Sequence, residues 1–173
     1  MKKAATAIMA LAIILIIVGG FFVYDSYIPS SNKVPVDMEV ADSPNTLASA
    51  VYISFSSVEL HGNKTGWTNY TVGNKTVDIL GLTLSNASLL SKVTLTAQTY
   101  TMFRIFIKNV TVVIAGVSVN FTLASSFAFL NHPFTISAGK PATVVFEFNL
   151  TQDLNVMSSV FTPNVGIEVM EPP

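Results

Sequence analysis

The sequence predicts an all-β protein: an antiparallel β-sandwich of about 8 to 10 strands with one short helix, preceded by an N-terminal signal or transmembrane helix and an extended tail. Segments rich in Val, Ile, Phe and Thr alternate apolar with polar residues, which is the period of a half-buried strand. Clusters of Gly, Asn, Pro and Ser separate these segments. Cysteine is absent and charged residues are 11% of the chain. Packing and strand pairing must therefore hold the fold together without disulfides.

The N-terminal segment directs the chain to a membrane. Lys2 and Lys3 precede an uncharged stretch that reaches Tyr24, and this stretch is long enough to span a bilayer. A cleaved signal peptide is favoured, and a retained anchor is the alternative. A pilin-type leader cut near Ala4 is a third option, although the usual Lys-Gly or Arg-Gly junction is missing. The expected parts are a signal peptide or membrane anchor (1–23), an extended tail (24–34) and a β-sandwich head (35–173).

Seven Asn-x-Ser/Thr triplets lie in the head, and none contains proline. A chain of this composition would contain about two by chance. Such triplets are modified only in a chain that meets a glycosylating membrane, and the N-terminal segment supplies that route. The alternative is that a Thr-rich β-protein forms the triplets by accident. We expect N-linked glycans at Asn63, Asn69, Asn74, Asn86, Asn109, Asn120 and Asn149.

Period-two alternation and turn residues define the strands. Pro35 confines the start of the first strand to a sheet edge. A change of phase at Ser56–Ser57 predicts a β-bulge. Residues 100–113 are expected to form one long strand, or two with a break near Lys108–Asn109. Ala115–Gly116 predicts a two-residue hairpin. The predicted strands cover 34–40, 51–60, 67–72, 77–84, 100–113, 117–123, 134–136, 142–150 and 165–170.

Three predictions concern the segments between these strands. Asp42–Asn45 and Gly73–Lys75 are expected to be turns. The one short helix is expected over 85–91, where Ser85 could cap it.

The residue pattern gives no sign of catalysis. Net charge is −1 without a basic patch, which argues against nucleic acid as a partner. His61 and His132 lack the spacing of metal ligands, and each is expected to satisfy a turn. Asp78 is expected to be a structural carboxylate bonded to Ser or Arg, and Arg104 to pair with Asp78 or Glu147. Nucleophile elbows and phosphate loops are absent from the sequence. We therefore expect no catalytic residue, no cofactor and no metal.

Several landmarks in fixed order resemble a prokaryotic family of exported β-sandwich domains without an assigned function. The resemblance covers most of 36–170, and the chain departs from the family pattern at Ala97–Gln98, Glu147 and Asn149. The landmarks are Asp42-Ser-Pro44, the segment from Val51 to His61, Gly66-Trp67, Val77 to Leu82, Tyr100 to Ile105, His132 to Ile136 and Val144 to Leu150.

The short, glycosylatable form with an N-terminal tail is also similar to subunits of archaeal thread and bundling-pilus filaments. That resemblance implies a sugar-coated surface fibre of a thermophilic or acidophilic archaeon, in which the tail of one subunit completes the sheet of the next. An unpaired sheet edge is a template for such a strand. Eleven extended residues reach about 35 Å, enough to enter a neighbouring subunit. The candidate donor residues are Tyr24, Tyr27, Ile28 and Val34.

The preferred function is therefore a structural subunit of an extracellular filament, located outside the cell or at its surface. Its partners would be neighbouring copies of itself, N-linked glycans and the membrane during export or as an anchor. One alternative is a membrane-anchored, glycosylated module that binds a protein or glycan ligand. Another is a pilin-type subunit with a helical filament core, and a hydrolase is the most distant option.

Overall fold

The computed structural model describes residues 32–42 and 47–171, and β-strands dominate this part of the chain. The all-β sandwich with one short helix is confirmed. The predicted membrane segment over 1–23 and the predicted turn at 42–45 lie wholly or mostly outside the described residues. The strands are β1 (Lys33–Asp42), β2 (Ala50–Gly62), β3 (Gly66–Asp78), β4 (Ser88–Thr96), β5 (Gln98–Ile114), β6 (Val117–Leu123), β7 (Phe127–Ile136), β8 (Ala142–Phe148), β9 (Leu154–Asn155), β10 (Val160–Phe161) and β11 (Val165–Met170), and the helix is α1 (Leu150–Asp153).

The strands form two sheets. The small sheet has the order β11-β8-β1-β4, and the large sheet has the order β3-β2-β5-β6-β10-β9, with β7 also paired to β5. Most pairs are antiparallel, as predicted. The pairs β1–β8 and β6–β10 are parallel, which places the N-terminal strand in the middle of the small sheet rather than at its rim.

Aromatic side chains from both sheets meet in the core. The ring centres of Phe103 and Phe146 lie 5.1 Å apart, and Phe148 lies 5.8 Å from Phe55 and 6.4 Å from Phe161. All five side chains are fully buried. Burial of each such side chain stabilises the fold by about 1.5–3 kcal/mol. In a chain without cysteine, this packing stabilises the sandwich in place of disulfides.

Pro35 has an edge position although its strand is central. β8 begins at Ala142, opposite Val36, so the first residues of β1 have a paired neighbour only on the β4 side. A proline at this point removes no ladder hydrogen bond on the β8 side. The local prediction for Pro35 is confirmed, while the strand as a whole lies inside the sheet.

The predicted bulge in β2 and the predicted hairpin are present, and residues 100–113 form one long strand rather than two. The register of β2 shifts between Phe55 and Ser57 against both neighbouring strands. On β5, the residues opposite Ser54 and Phe55 are Asn109 and Ile107, so the extra residue between them makes a bulge in one continuous strand. The β5–β6 turn has positive φ at both central residues, 50° and 79°, as expected of a two-residue hairpin.

The helix predicted over 85–91 is wrong. Residues from Ser88 onward form β4, where Ser88 lies opposite Val40 and Leu89 opposite Glu39. A helix of two turns is too short to be stable alone. Pairing with β1 and burial of Leu90, which is 5% exposed, decided the conformation instead.

The turn predicted at Gly73–Lys75 is also wrong. β3 runs on in one direction, because β2 places Ser57 opposite Thr71 and Phe55 opposite Lys75. Gly73 and Asn74 have φ of 72° and 55°, and they form a bulge that absorbs the extra residues. The strand predicted over 77–84 ends at Asp78 for the same reason, since it is the last part of β3.

Candidate functional site

The sequon asparagines are accessible at the surface of the sandwich. Asn63, Asn69, Asn74, Asn86, Asn109 and Asn120 are exposed, and Asn149 is half-buried. Sugars attach through the side-chain nitrogen Nδ2. An oligosaccharide at any of the six exposed positions would therefore extend into solvent without entering the core.

Three of these asparagines use their carbonyl oxygen, Oδ1, within the fold. Asn120 Oδ1 accepts a hydrogen bond from the Thr111 hydroxyl at 2.8 Å. Asn149 is the N-cap of α1, where its Oδ1 accepts from the Gln152 N–H at 3.3 Å. Asn86 Oδ1 accepts from the backbone N–H and the hydroxyl of Thr83. Because Oδ1 makes the contacts, each side chain is held in place through the atom that does not carry a sugar.

The triplets are unevenly distributed between the two sheets. Four of the asparagines lie on strands of the large sheet: Asn69 and Asn74 on β3, Asn109 on β5 and Asn120 on β6. Asn63 lies in the turn from β2 to β3. The strands of the small sheet carry no sequon asparagine. The sequence showed the triplets, and only the topology showed that no strand of the small sheet carries one.

The outer face of the large sheet carries exposed aromatic side chains around one arginine. Trp67 is 39% exposed and Phe129 is 47% exposed. The Arg104 guanidinium carbon lies 4.2 Å from the centre of the Trp67 ring, 5.7 Å from that of Phe127 and 6.0 Å from that of Phe129. Cation–π attraction of this kind fixes the arginine over the rings. We call Trp67, Arg104, Phe127 and Phe129 the aromatic platform.

The aromatic platform arises from strand register. Asn69, Glu59, Arg104 and Phe129 are directly opposite one another on β3, β2, β5 and β7. Trp67 lies two residues before Asn69 on β3, so both side chains point to the same face. Sequence patterns gave no sign of this cluster, because its members come from three strands that are far apart in sequence.

Arg104 pairs with Glu59, and the predicted pairing with Asp78 or Glu147 is wrong. Arg104 Nη1 lies 3.3 Å from Glu59 Oε2, while Arg104 Nε is buried without a hydrogen-bond partner among the described residues. Asn69 Nδ2 donates to the other oxygen of Glu59 at 3.5 Å. The ion pair therefore adjoins a sequon asparagine.

Asp78 is structural, as predicted, but its partners are backbone groups. Its Oδ1 accepts from the N–H of Val51 at 2.9 Å and from that of Leu80 at 3.2 Å. His61 lies on β2, where its Nδ1 is 3.0 Å from the Thr101 hydroxyl and its ring meets Trp67 edge-on. His132 is exposed on β7. Within 32–42 and 47–171, no group of three or more acidic, histidine or cysteine side chains could hold a metal ion.

The sequence did not identify one buried acid, Asp153, which is the last residue of α1. Asp153 is 1% exposed. Its Oδ1 accepts from the N–H of Asn164 at 3.0 Å and its Oδ2 from that of Asn149 at 3.3 Å. Burial raises the pKa of Asp153 to about 7, Asp42 adds a smaller increase, and the N–H groups of Asn164 and Asn149 oppose it. These contacts explain a structural role.

The predicted donor tail is described only at its end. Tyr24, Tyr27 and Ile28 lie outside the described residues. Val34 belongs to β1, where it is 1% exposed and lies opposite Leu95 of its own chain. The predicted tail, which included Val34, is therefore corrected. Val34 belongs to the head, whose compact unit begins at Lys33. In the part of the chain that is described, no helix has the length and hydropathy of a membrane span.

Comparison with known proteins gives a family and distant likeness to solved structures. The sequence model of the family "Domain of unknown function (DUF4382)" matches residues 33–164. No curated protein matches the chain. A candidate cell adhesion protein from Bacteroides eggerthii DSM 20697 is similar at 13% identity and a TM-score of 0.33, over 80% of this chain and 55% of that one. A second, from Parabacteroides distasonis ATCC 8503, has 10% identity and a TM-score of 0.39, over 81% and 52%. The chain thus spans about half the length of each solved structure.

Proposed function

The chain belongs to the DUF4382 family, and on that premise we propose that it is an exported, glycosylated structural subunit of an extracellular filament. The observation that carries the proposal is the distribution of the sequons. Four acceptor asparagines lie on strands of the large sheet, and none lies on the strands of the small sheet. A face that receives bulky glycans cannot pack closely against a neighbour. The small sheet is therefore the surface available for contacts between copies.

The terminal strands of the small sheet suit such contacts. β4 and β11 are its outermost strands, and a strand added to an edge satisfies N–H and C=O groups that would otherwise face water. A cavity of about 400 Å³ lies beside the start of β1, between the small-sheet residues Pro35, Thr143 and Met170. It could receive an apolar side chain of an added segment.

The tail is the segment that we propose for this role. Its available part now ends before Lys33, because β1 occupies the sheet from that residue onward. Residues 24–32, if extended, still reach about 30 Å. Tyr24, Tyr27 and Ile28 would supply the apolar side chains, and Ser26, Ser30 and Ser31 lie between or after them.

A matched pair of tail variants tests the assembly in cells that display the native protein. We expect the triple change of Tyr24, Tyr27 and Ile28 to serine to abolish surface filaments in electron micrographs, and with them any heat- and detergent-resistant oligomer ladder. The control changes Ser26, Ser30 and Ser31 to glycine and should leave both intact. Persistence of filaments in the first variant would show that assembly by the tail is wrong.

A second candidate is a membrane-anchored module that binds a ligand, and the exposed aromatic platform favours it. The intact mass of the native protein separates the candidates. A chain that still begins at Met1 supports the anchored module, because an uncut tail is not free to enter a neighbour. A start near Ala4 or Ala5 supports the pilin-type subunit, and a start after Gly20 supports the filament proposed here.

A further inference from the structure

We infer that this chain carries a glycan at Asn69 and that this glycan packs on the aromatic platform. The inference rests on the proposed export and deepens it by assigning one of the seven triplets a structural role. The bond would form between Asn69 Nδ2 and the anomeric carbon of the first sugar. The sugar–phosphate bond of a lipid-linked oligosaccharide would break, and the amide proton would leave with the lipid phosphate.

The position of Asn69 on β3 carries the first step. Residues two apart on a strand share a face and lie about 7 Å from each other. Trp67, Asn69 and Thr71 are such a series, and all three are exposed. The aromatic ring, the acceptor nitrogen and the hydroxyl that completes the triplet therefore point to the same side. A first sugar on Asn69 starts beside the Trp67 ring.

The path from Asn69 across the aromatic platform is long enough for a short run of sugars. From Asn69 the row of opposed residues crosses β2 and β5 to reach Phe129 on β7, a distance of about 14 Å at the usual strand spacing. Trp67 and Phe129 offer exposed ring surface along this path. Sugar rings have an apolar face that packs on aromatic rings, so a short run of sugars fits the path.

Polar groups along this path can form hydrogen bonds with sugar oxygens. The Arg104 side chain is 37% exposed and donates one hydrogen bond to Glu59, while a guanidinium can donate five. A sugar hydroxyl or ring oxygen is a suitable acceptor. Asn69 Nδ2 already donates to Glu59, and it keeps one hydrogen after a sugar is attached. The attachment is thus compatible with the observed contact.

The single tryptophan of the chain reports on this arrangement. The sequence contains one Trp, and it is Trp67. The full chain, produced in a host that glycosylates exported proteins, is compared with Thr71→Ala, which removes the Asn69 triplet. The matched control is Thr122→Ala, which removes the Asn120 triplet on the same sheet. Asn120 lies opposite Thr111 rather than beside an aromatic ring, and Thr71 and Thr122 are both exposed.

We expect mass spectrometry to find sugar on Asn69, and acrylamide to quench Trp67 roughly half as strongly in the parent as in Thr71→Ala, since a stacked sugar covers one ring face. Thr122→Ala should match the parent. Equal quenching in all three proteins overturns the inference, as does an empty Asn69 beside occupied neighbours, and both results leave the proposed filament untouched. A chain without any sugar overturns the glycosylated-surface proposal as well. Protection of Trp67 that persists in Thr71→Ala and rises with protein concentration also overturns the inference about the Asn69 glycan. This result would identify a second copy of the chain as the occupant of the platform.

Discussion

Protonation of Asp153 is expected to make the protein more stable in mild acid than in mild base. Asp153 is 1% exposed, and its pKa is raised from 3.8 to about 7, chiefly because burial disfavours the charged form. A folded-state pKa above the unfolded value means that the folded protein binds the proton more tightly. The stabilisation is therefore complete below the unfolded pKa of 3.8 and is lost as the pH rises through about 7.

The magnitude follows from linkage. At about 1.4 kcal/mol for each unit of difference between the two pKa values, the loss has an upper limit of about 4 kcal/mol. Part of the shift lies below the range in which the experiment is done, because stability already falls between pH 3.8 and pH 5. The remaining shift, up to about pH 7, gives an expected loss of about 2–3 kcal/mol between about pH 5 and pH 8.

Urea unfolding of the parent and of Asp153→Asn at both pH values tests this expectation. The variant lacks the Asp153 carboxyl group and keeps the neighbouring Asp42, so the difference between its free energies of unfolding at the two pH values should be much smaller than in the parent. Asp78→Asn is the control, because Asp78 also accepts backbone N–H groups but is exposed. It should keep the pH dependence of the parent. A pH dependence that survives in Asp153→Asn would refute the assignment to this carboxyl group.

Three further substitutions test the packing and the turns. Phe148→Ala removes a fully buried ring and should lower the free energy of unfolding by about 3–5 kcal/mol, seen as a lower urea midpoint with an unchanged slope. Ala115→Gly should raise stability by about 1 kcal/mol, because Ala115 has a φ of 50° that glycine adopts without strain; a loss of stability would contradict the hairpin geometry. Gly62→Ala should cost about 2 kcal/mol, since a Cβ there would lie 2.2 Å from Gln98 Nε2, and moving Gln98 breaks the 2.8 Å bond that it donates to Thr65. Thermal unfolding of Gly62→Ala equal to that of the parent would show that Gln98 yields without loss.

Local features of the fold could be predicted from the sequence because their causes are local. The phase change at Ser56–Ser57 reverses which side chains are apolar, and such a reversal on a strand requires an extra residue. A two-residue connection such as Ala115–Gly116 can join only adjacent antiparallel strands, and glycine readily adopts the positive φ that such a turn requires. The exposure of Asn120 could be predicted because polar and apolar residues alternate along its strand, and Asn120 is one of the polar residues.

The errors lie where a distant partner decided the outcome. The segment 85–91 has residues that tolerate a helix, but β1 offered it a strand partner and a place for Leu90 in the core. Gly73 and Asn74 are typical turn residues, yet continued pairing with β2 converted them into a bulge. Arg104 found Glu59 across a strand pair, a register that cannot be derived before the bulge sizes are known.

The sequence by itself determined that this chain is a cysteine-free β-protein with seven sequons and alternating strands, because alternation and triplets are properties of neighbouring residues. Only the tertiary structure decided that β1 lies parallel to β8 inside the small sheet, that the sequons spare that sheet, and that Trp67 and Arg104 meet beside Asn69. Strand order and register depend on free energies summed over the whole core. For that reason, residues that form one surface can be far apart in sequence and carry no joint signal there.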